Sequence, residues 1–291
     1  MMRIILFLLT NLSVIFVFGI VLNLINIDKN NIQALMIISC LFGFCGSLVS
    51  LILSKRISLK TVNGKIIKTP HNKTEEWLTD TIVNQAKKVN IKTPQISIYS
   101  SLDINAFATG THRNSSLIAI SSGLLKNMTK DEAEAVIAHE ISHISNGDMI
   151  TMTMLQGVIN TFVIFISKFF SQFISKIITN NNDENENHNN NQIIYNIITI
   201  ILEIIFGVIA TIITMWYSRY REYHADANSA KLVGYKKMIT ALKKLKTNCE
   251  PYEENILKTF YINGKTKGLN YLFLSHPPLN LRIKALISKK F

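Results

Sequence analysis

Cysteine is scarce in this chain: only Cys40, Cys45 and Cys249 occur, at no knuckle-like spacing. A disulfide framework and a CxxC metal site are both excluded, and a soluble portion facing a reducing compartment fits. Acidic residues are also few. Nineteen Asp and Glu stand against 31 Lys and Arg, a formal net charge of +12. That excess has three readings: nucleic acid, anionic lipid, or the positive-inside bias of a membrane protein. No basic patch interleaved with aromatics and no nucleic-acid module is present, so no nucleic-acid partner is expected. Lys, Asn and Ile are abundant throughout, so some scattered lysines reflect compositional bias alone.

The 48 % hydrophobic content is ordinary, but its distribution is not. Apolar residues gather into four long runs, a clustering that points to a bilayer rather than to amphipathic elements. The first run, Ile4 to Ile25, follows a single basic residue, Arg3. It lacks a small-residue cleavage site and has the length of a full crossing, so it reads as an uncleaved span. The second, Ala34 to Leu53, ends at Lys55-Arg56; the third covers Met149 to Ile178 and the fourth Ile193 to Tyr217. Glu203 lies inside the fourth run. Charge at that depth is costly, so Glu203 should face other helices, water or a partner. Asn180 to Gln192 is Asn-rich and acidic, contains no Lys or Arg, and reads as a solvated loop.

Charge bias sets the topology. Lys55, Arg56, Lys60, Lys65 and Lys68 follow the second run, and Arg219 and Arg221 follow the fourth. Both termini and residues 54–148 and 218–291 are therefore expected in the cytoplasm. The expected organisation is an N-terminal hairpin (1–53), a first catalytic segment (54–148), a second membrane pair (149–217) and a second catalytic segment (218–291). Within 54–148 the pattern predicts a helix over Glu75 to Val89 and a strand over Gln95 to Tyr99. Two further strands, Ala106–Thr109 and Leu117–Ile120, are expected about a turn at Gly110 to Ser115. Thr129-Lys-Asp-Glu132 reads as a capping box opening a helix. The last segment is mainly helical, broken at Pro277-Pro278.

Only seven histidines occur, yet two of them fall in His139-Glu-Ile-Ser-His143 on the capped helix. Histidines four apart lie about 40° apart around a helix axis, so both imidazoles reach one ion. Glu140 sits too far round to share that ion easily but is well placed beside a water on it. Zinc lowers the pKa of such a water to about 7, and a neighbouring carboxylate can take the proton. This is the five-residue metalloprotease motif. A catalytic site needs a third protein ligand, and Glu222 is the candidate. Asp226, one helical turn on, could accept a hydrogen bond from a ligand histidine. His224 points away from the Glu222 face. His143 lies about 9 Å along a helix before the third run, and Glu222 lies just after the fourth. Neighbouring spans would bring both sets together at the membrane surface.

These residues, with Asn146-Gly-Asp148 and Ser218-Arg-Tyr-Arg-Glu222-Tyr-His-Ala-Asp226, resemble the HtpX family of bacterial membrane metalloproteases. That family is related to the type I CAAX prenyl protease. Asn105-Ala-Phe-Ala-Thr-Gly110 and Ser275-His-Pro-Pro278 match further motifs in the expected order, so the resemblance covers essentially the whole chain. It implies one zinc ion held by His139, His143 and Glu222, with Glu140 as general base. It also implies a mainly α multi-pass protein of the cell inner membrane with four transmembrane helices. To these is joined a cytoplasmic α+β zincin-like domain with a small edge sheet. The implied activity is cleavage of damaged, unfolded or misassembled membrane proteins. Asn105, Ala106, Phe107 and Gly110 would form an edge strand that pairs with extended substrate. His276 has two readings of equal weight, an oxyanion stabiliser or a packing residue beside a Pro-Pro turn. Arg219, Arg221, Trp216 and Tyr217 either anchor the fourth span or touch substrate. Two rival functions stand beside the protease: a histidine-box di-iron membrane enzyme and an adaptor with a structural metal site.

Overall fold

The computed structural model describes residues 32–179, 188–258 and 269–289. The apolar run Ile4 to Ile25 and residues 180–187 of the Asn-rich stretch lie outside the described residues. The described elements run α1 (Ile32–Thr61), β1 (Lys65–Ile66), α2 (Lys73–Lys88), β2 (Gln95–Tyr99), β3 (Ala106–His112), β4 (Ser115–Ser121) and α3 (Ser122–Asn127). They continue with α4 (Lys130–Asn146), α5 (Asp148–Thr179), α6 (His188–Val233), α7 (Tyr235–Lys258), a 3-10 turn at Leu269–Phe273 and α8 (Leu279–Ser288). The end of the Asn-rich stretch is thus the first turn of α6 rather than loop.

Two compact units divide the chain, one from residues 1–49 and 153–214, the other from 50–152 and 215–291. Among the described residues, α1, α5 and α6 are long and apolar enough to cross a membrane. Their outer faces carry large exposed apolar side chains, including Ile37, Phe162, Phe173 and Ile201 in the first unit. Water would penalise such a surface, whereas hydrocarbon does not. Inside the first unit α1 meets α5 closely, where Gly43 abuts Thr161 and Gly157 abuts the Phe44 ring. Buried hydroxyls there bond to the preceding helical turn, as Ser47 does to Gly43 O (3.2 Å) and Thr211 to Gly207 O (2.8 Å). This is the cheap local solution for polar groups in a span. Glu203 is buried on α6, with Lys168 of α5 as the opposing charge.

The end of α1 departs from the expected one. The helix continues past Lys55-Arg56 to Thr61, because nothing breaks it before Asn63-Gly64. There Asn63 takes a left-handed conformation (φ 50°) and Gly64 N–H bonds to Leu59 O. The second unit then builds a four-stranded mixed sheet in the order β1-β2-β4-β3. β2 and β4 are parallel, and β3 pairs antiparallel with β4. The hairpin is tighter than the sequence pattern suggested: both strands extend until only Arg113-Asn114 separates them. Gly110 makes this possible. Its φ is +149°, and a Cβ there would lie 2.3 Å from Ser115 O.

Behind the sheet pack α2, α4, α7 and α8, around Leu78, Ile82, Ile118, Ile137, Ile141 and Met238, all essentially without solvent exposure. The helix α4 opens with a complete capping box. Thr129 accepts from Glu132 N–H and Glu132 accepts from Thr129 N–H. Deep burial of Ala135, Ala138 and Ile141 fixes which face of α4 is inward. Gly110→Ala is expected to lower stability by about 2 kcal/mol, the scale of strain at a backbone conformation reserved for glycine. A melting temperature in detergent equal to that of the unaltered protein would contradict this account of the hairpin.

Candidate metal centre

Three ligand-capable side chains meet on two helices. α4 carries His139 and His143 on one stripe, and α6 runs on without a break beyond Tyr217 to bring Glu222 and Asp226 opposite them. Ser229 Oγ of α6 donates to Ala135 O of α4 (2.9 Å), and Asn228 donates to Asn146 Oδ1 (3.2 Å), which pins the crossing. The Nε2 atoms of His139 and His143 lie 3.1 Å apart. Glu222 Oε2 is 3.5 Å from His139 Nε2, and Oε1 is 3.3 Å from His143 Nε2. Among the described residues these form the one group of His, Cys, Asp and Glu side chains able to hold a metal ion together.

Each outer nitrogen faces a carboxylate. His139 Nδ1 lies 3.0 Å from Asp226 Oδ1, and His143 Nδ1 bonds to Asp148 Oδ2 at 2.5 Å. A carboxylate at Nδ1 favours the proton there and leaves the Nε2 lone pair facing inward. Arg282 of α8 grips Asp226 through two bonds, Nε to Oδ2 (2.7 Å) and Nη2 to Oδ1 (2.6 Å), while its Nη1 lies 3.1 Å from Glu222 Oε2. Arg221 donates to Asp148 O at 2.6 Å. Gly147 caps α4 in a left-handed conformation (φ 73°), so that α5 restarts at Asp148.

The residues fit a divalent cation. Glu140, Asp148, Glu222 and Asp226 bring four carboxylates to the site, whereas Arg221 and Arg282 bring two guanidinium groups. With neutral imidazoles two negative charges are left over in a buried place. Glu222 Oε2 is deeply buried and receives no well-aligned hydrogen bond, although His139, His276 and Arg282 approach within 3.5 Å. Burial alone disfavours the His139 imidazolium. Its contacts with Asp226 and Glu222 nevertheless carry the pKa up to about 10, so protons collect where a cation would neutralise the carboxylates. His143 is raised as well, against burial, by Asp148 and then Glu222.

Glu140 lies on the next face of α4. Burial pushes its carboxyl up, opposed by the imidazoles of His139 and His143 and, least, by the backbone N–H of Ala108. The Glu140 carboxyl therefore faces the backbone of the sheet's edge strand. Asn105 and Ala106 line the cleft with it, whereas Phe107 turns to the other side against Tyr99 (ring centroids 5.9 Å) and Gly110 serves the hairpin. His276 is largely exposed, with Nδ1 3.0 Å from Glu222 Oε2. His224 is half-buried and packs edge-on to Tyr220, away from the ligand cluster. Arg219 is not an interfacial anchor: it is buried, donates to Leu272 O and Leu274 O, and lies over the Tyr271 ring. It holds the segment that carries His276. Trp216 and Tyr220 stack on the outer face of α6.

The sequence model of peptidase family M48 matches residues 72–290. The chain belongs to peptidase family M48. Proteins named protease HtpX from Cronobacter sakazakii and Photorhabdus laumondii are 56 % and 58 % identical to it. Each alignment covers 100 % of this chain and 99 % of the relative. The crystal structure of S. mikatae Ste24p shares the fold at a TM-score of 0.65 and 19 % identity, over 94 % of this chain and 62 % of that one. The protein is a membrane metalloprotease, and the family implies a metal cofactor. A di-iron or adaptor reading therefore falls away.

The sequence gives Asp148 a place in the Asn146-Gly-Asp148 motif but no role, and it does not single out Arg282. Asp148 had a signal, since it follows His143 by five residues across a glycine that ends the helix. Arg282 had none, standing 56 residues from Asp226. Asp148→Ala is expected to weaken metal retention about 10- to 100-fold, the usual effect of losing a carboxylate behind a ligand histidine. Competition with a chromogenic chelator measures it, and retention equal to the unaltered protein would make the 2.5 Å contact incidental.

Proposed function

We propose that the chain is a zinc-dependent endopeptidase of membrane protein quality control, cleaving damaged or misassembled membrane proteins from the cytoplasmic side. The observation that carries this reading is the convergence of His139, His143 and Glu222 beside Glu140 and the edge of β3. Two imidazoles and one carboxylate with a further coordination position form the donor set of a hydrolytic zinc site, and borderline nitrogen and oxygen donors suit that ion. One zinc ion per chain satisfies the two surplus negative charges. Bound there, zinc supplies a Lewis acid for the scissile carbonyl and acidifies an attacking water.

The remaining work belongs to the side chains. Glu140 removes a proton from the attacking water and returns it to the leaving amine, a role suited to a carboxyl raised by burial. It shares its cleft with Asn105 and Ala106 of the strand on which substrate would lie. Asn105 and Ala106 offer backbone groups along that edge, and extended polypeptide adds there as a further strand. His276 is placed to donate to the carbonyl oxygen as charge develops on it. Asp226 and Asp148 hold the ligand imidazoles in register.

The topology rests on charge. Lys and Arg flank the second and fourth apolar runs while residues 180–192 have none, which supports four spans with both termini and the catalytic segments in the cytoplasm. An inner-membrane protease in that orientation meets membrane proteins as they fail to assemble.

Glu140→Gln in the full-length, detergent-purified protein is expected to lower kcat on casein about 10²- to 10⁴-fold while zinc content stays near one per chain. Full cleavage by this variant would sink the mechanism. Chelation should abolish activity of the unaltered protein and added zinc restore it. Membrane proteins should co-purify with Glu140→Gln from cells, and exclusive recovery of soluble proteins would count against the quality-control role.

A further inference from the structure

The apolar run of α6 ends at Tyr217, but the exposed apolar face of the helix does not. Ile209, Ile213, Trp216 and Tyr220 follow one another at helical spacing, each about half exposed. Trp216 and Tyr220 stack on each other, with ring centroids 6.3 Å apart. Such rings belong at the boundary of hydrocarbon and water, where one part is apolar and the other wet. The turn from Trp216 to Tyr220 is thus the level at which α6 leaves a bilayer.

A second segment is fixed to that turn. Arg219 Nη1 donates to Leu272 O (3.1 Å) and Leu274 O (2.7 Å), and Ser218 Oγ donates to Ser275 O (3.0 Å). Side chains of a helix lean toward its N-terminus, which for α6 is the end within the apolar run. Ser218 and Arg219 therefore hold residues 272–275 level with Trp216 or closer to the hydrocarbon. Two large side chains of this segment stay uncovered, Tyr271 at 38 % exposure and Leu274 at 42 %. The Tyr271 ring covers the Arg219 guanidinium at 4.8 Å, so the charge that makes these bonds is masked.

We propose that Tyr271 and Leu274 are embedded in the interfacial layer of the bilayer and form, with Trp216 and Tyr220, one lipid-contacting surface. The inference rests on α6 crossing a membrane, not on the proteolytic reading. Lipid is the occupant because the surface continues the apolar stripe of the span itself without a break. An uncovered Leu beside stacked aromatic rings is disfavoured in water and suited to the zone between headgroups and acyl chains. His276 follows Leu274 by two residues, at most about 7 Å of extended chain. The reactive centre is thereby tethered at the bilayer surface, where peptide bonds of chain just leaving the membrane come within reach.

Fluorescence quenching tests this on the full-length protein with zinc, reconstituted in vesicles of dioleoyl phosphatidylcholine or its dibrominated counterparts. Trp77 and Trp216 are the two native tryptophans. With both changed to Phe, Leu274→Trp supplies one reporter and Tyr271→Trp, made separately, a second. A zinc content equal to that of the unaltered protein verifies each fold. Lipid brominated near the headgroup end of the chain should quench either reporter about twofold, with chain-end bromine weaker and aqueous iodide nearly without effect. Trp216 in Trp77→Phe protein should follow the same order. Quenched Trp216 with both new reporters open to iodide and untouched by brominated lipid would overturn the inference and leave the span in place. No lipid quenching of any of the three would overturn the placement of α6 as well. Reporters shielded from iodide yet unquenched by lipid would also overturn it, giving the surface to a second copy of the chain.

Discussion

Two carboxylates, Glu222 and Asp226, stand one turn apart on α6 with almost no access to water, and most of the catalytic unit's architecture answers the charge they bring. Arg282 neutralises one of them through a two-bond grip and leans on the other. His139 touches both. A buried carboxylate without a partner is so costly that it would take up a proton or undo the fold around it. With Glu140, Asp148 and Arg221 counted as well, the compensation across the site is incomplete by two charges. A divalent cation completes it, so holding the metal and holding α4, α6 and α8 together are one event.

The same arrangement explains why activity and packing share residues. Arg282 brings α8 against the ligand helix, Arg219 ties the turn before His276 to α6, and Ser229 locks α6 to α4 at Ala135. Each of these bonds joins segments far apart in the chain. The reactive groups are thus held by helices whose other faces form the core, with Ile137 and Ile141 inward while Glu140 borders the cleft. Preorganisation of this kind lets a carboxylate act on a water without reorganising its own surroundings.

The edge strand adds the substrate's share. β3 keeps one side of its backbone unpaired by any strand among the described residues, and Glu140 lines a cleft with Asn105 and Ala106 at that strand. An unpaired edge is a liability elsewhere in proteins. Beside Glu140 as the proposed general base it would set an incoming peptide bond at the height of the reacting atoms.

By itself the sequence determined the elements governed by local rules. The three apolar runs within the described residues dictated helices long enough for a bilayer, Thr129 to Glu132 dictated the start of α4, and the spacing of His139, Glu140 and His143 dictated which of them share a face. These follow from helical periodicity and capping, which act over a few residues. β2 was legible at its full extent and β1 not at all, while β3 and β4 were legible in kind but short, because the tight hairpin depends on how closely Gly110 approaches Ser115. Only the tertiary structure decided the partners of the ligands. Asp226, expected beside a ligand histidine, is clamped by a residue 56 positions later, and Arg219, open in the sequence between anchoring and substrate contact, is a buried strut. Met238, Leu242 and Leu245 carry no functional signal in the sequence, and they line the cleft of Glu140 once α7 packs against α4. Such contacts depend on where distant segments come to rest, and no periodicity in the chain encodes that distance.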